Sequence, residues 1–424
     1  FRLVKQQRSR ATQVTTELHM GDTITTNLLP AWRDHFSNLA VPSHQPHFTK
    51  QRIQSAAYNL TIIPALHHDS DDLAIPVTQA EVHSKIRKLK ANKAADIYGL
   101  CAEHLKTASL QVSEFLTPVM NRIINTGSYP ATLKKGKKHP IPKKDKNITD
   151  PNNYRGISIS PIIGKVLDSI HLEHQKIATE AKNNSQQFGF TEGRSCAQAA
   201  FLVSEAIAES KDLGCPLYVA SLDVQKAFDV IRHESLLDRL YSSGLIGKWW
   251  MLKMDAYTEM SEQIAWKGEL SEPYLIQQGS RQGAFPSPED YLTHLSSLLH
   301  MTSTSPCGLS IGSINIASPT VADDMILMAD SPLKLQAMIN LASTYANEEC
   351  YNIHPTKTVI VPFNIKSKPQ LEHTIQNQPW EMNNSLTHTT RVQNRLKLQP
   401  LHQKLSLKWS RKSQRCHNYT QSQY

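Results

Sequence analysis

The sequence lacks any pairing pattern among its cysteines. Six occur in 424 residues (Cys101, Cys196, Cys215, Cys307, Cys350 and Cys416), and none forms a CxxC. This excludes a disulfide framework and a zinc knuckle, and points to reduced thiols in an intracellular protein of nucleus or cytoplasm, not a secreted one. Long hydrophobic runs are missing too. The longest uncharged stretch, between Asp290 and Asp323, is full of Ser, Thr, Pro and Gly and contains His294 and His300, so no membrane span is expected. No signal peptide and no internal repeat is visible. The chain starts at Phe1 rather than Met, which reads as a fragment of a longer reading frame.

Acids are the next absence. After Glu381 there are none, while eight Lys and Arg follow between Arg391 and Arg415. Without them, 38 basic residues face 37 acidic ones over positions 1–381, so the net charge of +9 belongs mainly to the tail. A second basic cluster, LKKGKKHPIPKKDK, sets seven lysines from Lys134 to Lys146 against a single Asp145. Such runs are either solvated surface or phosphate-binding surface, and nucleic acid is the leading partner. With 39% hydrophobic and 20% charged residues, the chain suits two or three domains with cores of their own.

The elements interleave irregularly, as α+β rather than strict βαβ alternation. Residues 1–78 mix amphipathic stretches with loops, among them the acidic run from His67 to Asp72. A helix is expected from Thr78, where Glu81 completes a capping box and Val82, Ile86 and Leu89 share a face. Helical patterning continues to about 128, with breaks at Asp96–Gly99 and Gly127. Residues 130–154 read as strands and loops. A strand and an amphipathic helix follow, the latter carrying His171 and His174 as surface residues. Further helices are expected at 196–213 and about 233–260, and a hairpin strand leads into QQGSRQG.

Two apolar strand-like runs end on acids. LYVASLD ends on Asp223, and TVADDMILMAD carries Asp323 and Asp324 between short apolar stretches. Adjacent carboxylates repel, and successive residues of a strand point to opposite faces. Such a pair is either a solvated turn or a seat for a divalent cation with oxygen ligands, most often Mg²⁺. If the two strands pair in one sheet, the three carboxylates converge on one point. They could then hold two Mg²⁺ ions about 3.5–4 Å apart, as in-line phosphoryl transfer requires. The alternative is two unrelated strand-end acids.

The segments LKANKAADIYGLCAEHLK, PIPKKDKNITDPNNYRGISISPIIGKVLD, QQFGFTEGRSC, LDVQKAFD, QGSRQG, VADD and HPTKT occur in this order between about Glu81 and Phe363. Together they resemble the reverse transcriptases of non-LTR (LINE-type) retrotransposons. The resemblance implies an RNA-directed DNA polymerase that copies RNA into DNA. Its fold would be a right hand with fingers and a mainly antiparallel palm sheet packed on helices. The expected division is a linker region upstream of the polymerase (1–78), a helical lead-in (79–128), fingers and palm (129–365), and a degenerate thumb with basic tail (366–424). RNA template, DNA primer and dNTPs would be the partners, and Mg²⁺, with Mn²⁺ as its substitute, the sole cofactor.

Roles follow from the resemblance residue by residue. Asp223, Asp323 and Asp324 would be the catalytic metal ligands, with the Val224 carbonyl completing one shell. Phe228 would be the aromatic gate against a ribose 2′-hydroxyl, or else a core aromatic on a following helix, and Asp229 a helix-capping or structural acid. Gln282 and Gly283 would face the incoming nucleotide, while Arg281 holds the local turn. Arg155 would grip the triphosphate, as would Lys143 or Lys144, between which the sequence does not choose. Lys357 would stand near the leaving pyrophosphate. Phe188, Gly189, Phe190, Gly193, Arg194 and Ser195 would line the template track.

Several positions depart from the family pattern. Val321 stands where an aromatic residue usually precedes ADD. Ala284-Phe285-Pro286 follows RQG, and Pro286 with Pro288 restricts that loop. No LG-containing hairpin follows WEMNNSLTHTT. These departures favour a second reading, a catalytically inactive remnant that at most binds nucleic acid. An RNA-directed RNA polymerase is disfavoured by Phe228.

Overall fold

The structure is a computed structural model that describes residues 15–67, 75–179, 184–354, 357–365, 373–375 and 378–380. The basic tail and most of the acidic run after His67 lie outside the described residues. In chain order the elements begin with β1 (Leu18–Met20), β2 (Thr23–Thr25), α1 (Leu28–Leu39), α2 (Gln51–His67), α3 (Gln79–Lys88), α4 (Ala102–Thr107) and α5 (Ser109–Thr126). Then come β3 (Lys135–Pro142), β4 (Tyr154–Ile159), α6 (Ile162–Thr179), α7 (Cys196–Asp212) and β5 (Leu217–Asp223). After these follow α8 (His233–Ser242), α9 (Gly247–Tyr257), β6 (Ser261–Trp266), β7 (Glu269–Leu270), β8 (Tyr274–Leu275) and α10 (Ser287–Thr304). The last group is β9 (Ser310–Ile311), β10 (Ile314–Asn315), β11 (Thr320–Val321), β12 (Asp324–Ala329), α11 (Pro332–Glu348), β13 (Val359–Phe363), β14 (His373–Ile375) and β15 (Gln378–Trp380). The architecture is α+β.

A four-stranded antiparallel sheet in the order β11-β12-β5-β13 is covered on both faces. Strand alternation sends Tyr218, Ala220 and Leu222 to one side, with Met325 and Leu327 of β12, onto α8, α10 and α11. Leu217 and Val219 go to the other side, with Ile326 and Met328, against Cys196, Ala199 and Val203 of α7. Double burial explains why both strands read as unbroken apolar runs up to their acids.

The second sheet runs β4-β3-β6-β7, with β8 also on β6, and its β3–β6 pairing is parallel. The helices α3 to α6 form a cluster around Val82, Ile86, Met120 and Leu167. The Thr78 capping box is present: the Glu81 carboxylate accepts from the Thr78 N–H at 2.8 Å, and the Thr78 hydroxyl oxygen accepts from the Glu81 N–H at 3.2 Å. The Asp96 carboxylate ties this cluster together, accepting from the backbone N–H groups of Tyr98, Leu100 and Ile162. No helix among the described residues is long and apolar enough to cross a membrane.

Within the 1–78 region, residues 15–67 pack against the rest of the fold. Trp32 of α1 is fully buried against Tyr154 and Trp266 of the second sheet. The α2 helix packs on α8, where Arg52 and Asn59 bind Asp238. His171, expected on a helix surface, is not a surface residue. It is buried, its Nε2 lies 2.8 Å from the Trp249 carbonyl, and burial holds its imidazole down at about 3. His174, one turn on, stacks on the Trp249 ring.

The basic cluster is not one surface. Lys134 and Lys138 are buried in ion pairs with Asp255 (3.0 Å) and Glu262 (2.6 Å). Lys137 donates to the Asp96 carbonyl, which leaves Lys135, Lys144 and Lys146 exposed. Burying an ammonium demands a partner, which Asp255 and Glu262 supply.

Candidate active site

Pairing register brings the acids together. Asp223, the last residue of β5, lies directly opposite Asp324, the first of β12. β11 and β12 form a hairpin with Val321 opposite Asp324, so Ala322 and Asp323 are its two-residue turn. Asp324 is buried, while Asp223 and Asp323 are partly exposed. The ladder of β5 continues past Asp223 onto the segment before β13: the Gln225 N–H donates to the Asn352 carbonyl and the His354 N–H to the Asp223 carbonyl. Val224 is bridged to Ile353 between those two bonds, so its own carbonyl points to the opposite edge, toward the β12 side. Val224 is thus placed on the same edge as the acids.

The convergence is one of backbone, not yet of side chains. Among the described residues no three acidic, His or Cys side chains are drawn around one point as metal ligands. The donors nonetheless fit a divalent ion by type: carboxylates and a backbone carbonyl are hard oxygen ligands. Positive charge is nearby, with Lys357 Nζ 3.5 Å from Asp223 Oδ2.

Further cations come from β4, the loop after β3 and the turn after β5. Lys143 Nζ donates to the Asn152 carbonyl at 2.7 Å, and burial with the Arg155 and Lys357 charges holds its ammonium below the usual lysine range. Lys144 is exposed. The structure therefore distinguishes the two lysines, and it is Lys143 that shares electrostatics with Arg155 and Lys357. Lys226, in the turn after β5 at φ +51°, is a fourth cation within that field. Sequence reasoning missed it, because a lysine in LDVQKAFD carries no signal of its own.

Phe228 sits in that turn, not on a helix. Its ring stacks on Tyr291 of α10 (4.9 Å between centroids, 27°) and meets Phe190 edge-on at 6.4 Å. Asp229 caps no helix. It receives both Gln282 Nε2 contacts (3.1 and 3.2 Å), and burial pushes its carboxyl up despite Lys138 and Lys226. Gly283 has φ +111°, and a Cβ there would lie 2.8 Å from the Ser158 carbonyl oxygen. Close approach to β4 thus explains this glycine. Arg281 is buried, donating to the Lys134 and Ser261 carbonyls, so it fastens the turn to β3 and β6.

The track residues divide. Phe188 and Gly189 run beside β11, the Phe188 N–H donating to the Thr320 carbonyl at 2.8 Å. Arg194 folds back over the Phe188 ring and onto the Ser185 and Gln187 carbonyls. Gly193 lies in an open turn at φ +71°. Ser195 is the N-cap of α7, in a capping box with Gln198, which gives it a structural task.

A family model, reverse transcriptase (RNA-dependent DNA polymerase), matches residues 141–390. The chain belongs to the reverse transcriptase family. Its relatives are proteins of non-LTR elements. It is 25% identical over 270 residues to the Retrovirus-related Pol polyprotein of type-2 retrotransposable element R2DM from Drosophila melanogaster, covering 64% of this chain and 25% of that one. It is 26% identical over 271 residues to the RNA-directed DNA polymerase from mobile element jockey of the same organism, covering 62% and 29%. To the probable RNA-directed DNA polymerase from transposon BS, also from that organism, it is 23% identical over 325 residues, covering 72% and 34%. The matched part thus spans a quarter to a third of these relatives.

Two departures from the reverse transcriptase pattern have a structural accommodation. Pro286 is the N-cap residue of α10 and Pro288 its second residue, where a missing N–H leaves no bond unmade. The Ser287 hydroxyl donates to the Arg281 carbonyl, keeping the loop compact. Val321 is fully buried in the cluster beneath α7.

Proposed function

We propose that this chain is the core of an RNA-directed DNA polymerase, with the four-stranded sheet as palm and the five-stranded sheet as fingers. Residues 129–365 would carry fingers and palm, 79–128 the helical lead-in, and 366–424 a degenerate thumb with a basic tail. The observation that carries the reading is the register that sets Asp223 opposite Asp324 beside a two-residue Ala322-Asp323 turn.

Asp223, Asp323, Asp324 and the Val224 carbonyl would hold two Mg²⁺ ions, which when bound activate a primer 3′-hydroxyl and neutralise the triphosphate. The protein's own contribution is placement and charge. Lys143, Arg155 and Lys226 would surround the nucleotide's phosphates; the Lys143 ammonium is held down chiefly by burial and next by the Arg155 and Lys357 charges, a cost that a bound polyanion relieves. Lys357, 3.5 Å from Asp223, would donate a proton to the departing pyrophosphate. Phe228, braced by Tyr291, closes the space a 2′-hydroxyl needs. Gln282, oriented by Asp229, lines the same pocket. Phe188, Gly189, Phe190, Gly193 and Arg194 lie along the template. The natural partners are an RNA template, a DNA primer and dNTPs inside the cell.

The test is extension of oligo(dT) on poly(rA) by purified protein with dTTP and Mg²⁺. Extension supports the polymerase. Salt-sensitive binding of the template without extension supports the inactive remnant instead.

A further inference from the structure

We propose that Gln187 is the positioning residue of the turn that carries Asp323 and Asp324. Its catalytic consequence rests on the polymerase reading; the geometry does not.

The turn is strained. Ala322 has φ +58°, a left-handed conformation that costs a residue with a Cβ roughly 1–2 kcal/mol. Two-residue hairpin turns with positive φ at the first position normally use glycine there. Here an alanine, 1% exposed, takes that place, so something outside the hairpin must hold it.

Gln187 supplies the hold. The residue is 4% exposed, and its Oε1 accepts from two backbone groups, the Gly189 N–H at 2.7 Å and the Ala322 N–H at 2.9 Å. Its Nε2 lies 3.4 Å from the Ala322 carbonyl, so one carboxamide addresses both ends of the strained residue. The backbone on either side is fixed as well: the Thr320 N–H donates to the Gln186 carbonyl and the Phe188 N–H to the Thr320 carbonyl, both at 2.8 Å. Gly189 completes the fit. A Cβ at that position would stand 2.2 Å from the Ala322 nitrogen, so only glycine lets the segment come this close.

Asp323 is the next residue in the chain, so the carboxamide that fixes Ala322 also fixes where the acidic pair stands relative to Asp223. An acceptor of this length is the essential feature. A methionine has the volume without the acceptor; a glutamate keeps it.

The experiment measures amide hydrogen exchange in the full chain, residue by residue, by mass spectrometry with electron-transfer fragmentation. Gln187→Met is expected to speed exchange at Gly189 and Ala322 by about 10-fold while the β5–β12 ladder keeps its protection. Gln187→Glu is expected to restore protection at both amides. On poly(rA)/oligo(dT), Gln187→Met should lower kcat by about 10- to 100-fold with the KM for dTTP nearly unchanged, as a misplaced constellation does. Unchanged exchange at both amides, or wild-type kcat in Gln187→Met, overturns the proposal. If Gln187→Met does not fold, Gln187→Asn decides: its shorter carboxamide keeps the polarity but does not reach Ala322, so faster exchange at Ala322 supports the proposal and wild-type protection there overturns it. If the wild-type protein fails to extend, the polymerase reading falls, and the exchange measurement still decides the role of Gln187.

Discussion

Asp223 and Asp324 are registered partners at the open end of one antiparallel ladder. Carboxylates set directly across a strand pair repel, by up to about 1 kcal/mol. The arrangement becomes favourable when a divalent cation is shared. Added Mg²⁺ should therefore raise the melting temperature of the wild-type protein, by a few degrees if the ion is present well above its Kd. Asp324→Asn should lose that shift while remaining folded, since Asn nearly preserves the shape. Scanning calorimetry with and without Mg²⁺ checks this; an equal shift in both proteins would remove Asp324 from the metal site.

Lys143 and Lys144 should differ sharply. Lys144→Ala is expected to leave the KM for dTTP within about 2-fold, because its side chain is exposed and interacts weakly. Lys143→Ala should raise that KM by about 10-fold or more, through loss of a phosphate contact. The ammonium of Lys143 is already held below the usual lysine range by burial and by Arg155 and Lys357. It therefore loses its proton earlier as pH rises, and wild-type KM should begin to climb in alkaline buffer before that of Lys143→Arg. Identical alkaline limbs would show that Lys143 does not bind the nucleotide in its charged form.

Sugar discrimination should depend on a ring that touches no ribose. Tyr291 stacks on Phe228 at 4.9 Å and is buried within α10. Tyr291→Leu keeps the gate ring but removes its support, so ribonucleotide incorporation should rise by about 10-fold relative to deoxynucleotide. Phe228→Ala should raise it further. Competition between UTP and dTTP on poly(rA) reads this ratio directly, and a wild-type ratio in Tyr291→Leu would detach Tyr291 from selectivity.

Acid should weaken the fold through its buried histidines. His171 is held at about 3 and His294 at about 4, both chiefly by burial, against an ordinary value of 6.5. Between pH 6.5 and those values the unfolded chain takes up protons that the folded chain refuses. Stability is therefore fully present above pH 6.5 and falls as pH drops toward 4, by about 2 kcal/mol per histidine at pH 5. Urea unfolding at pH 7 and pH 5 measures the difference. Replacing His171 with Gln should flatten the slope; an unchanged slope would contradict its buried neutral state.

What the sequence made legible was local. The apolar runs ending on Asp223 and around Asp323-Asp324 announced strands because both sheet faces are buried, and the Thr78–Glu81 box announced its helix. Neither Gln187 nor Tyr291 could be found this way. Their partners, Ala322 and Phe228, lie 135 and 63 positions away in sequence, and only tertiary packing joins them. His171 looked like a surface residue because a helical period does not say which neighbour covers a face. Trp249, which covers it, comes from α9. The lysines from 134 to 146 looked alike in the sequence; the carboxylates of Asp255 and Glu262, far along the chain, are what draw Lys134 and Lys138 into the core. The packing of residues 15–67 was not legible either, because Trp32 meets Tyr154 and Trp266 from far along the chain.

On the proposed reading, the carboxylates at 223, 323 and 324 carry out nucleotidyl transfer. The most direct measurement is extension of a 5′-labelled oligo(dT) on poly(rA) with dTTP and Mg²⁺, by the wild-type chain and by Asp323→Asn, each normalised to template bound. Extension by the wild type and a loss of at least about 100-fold in the variant are expected, with template binding unchanged. Equal extension by both proteins, or none by a wild-type chain that binds the template, would contradict that reading.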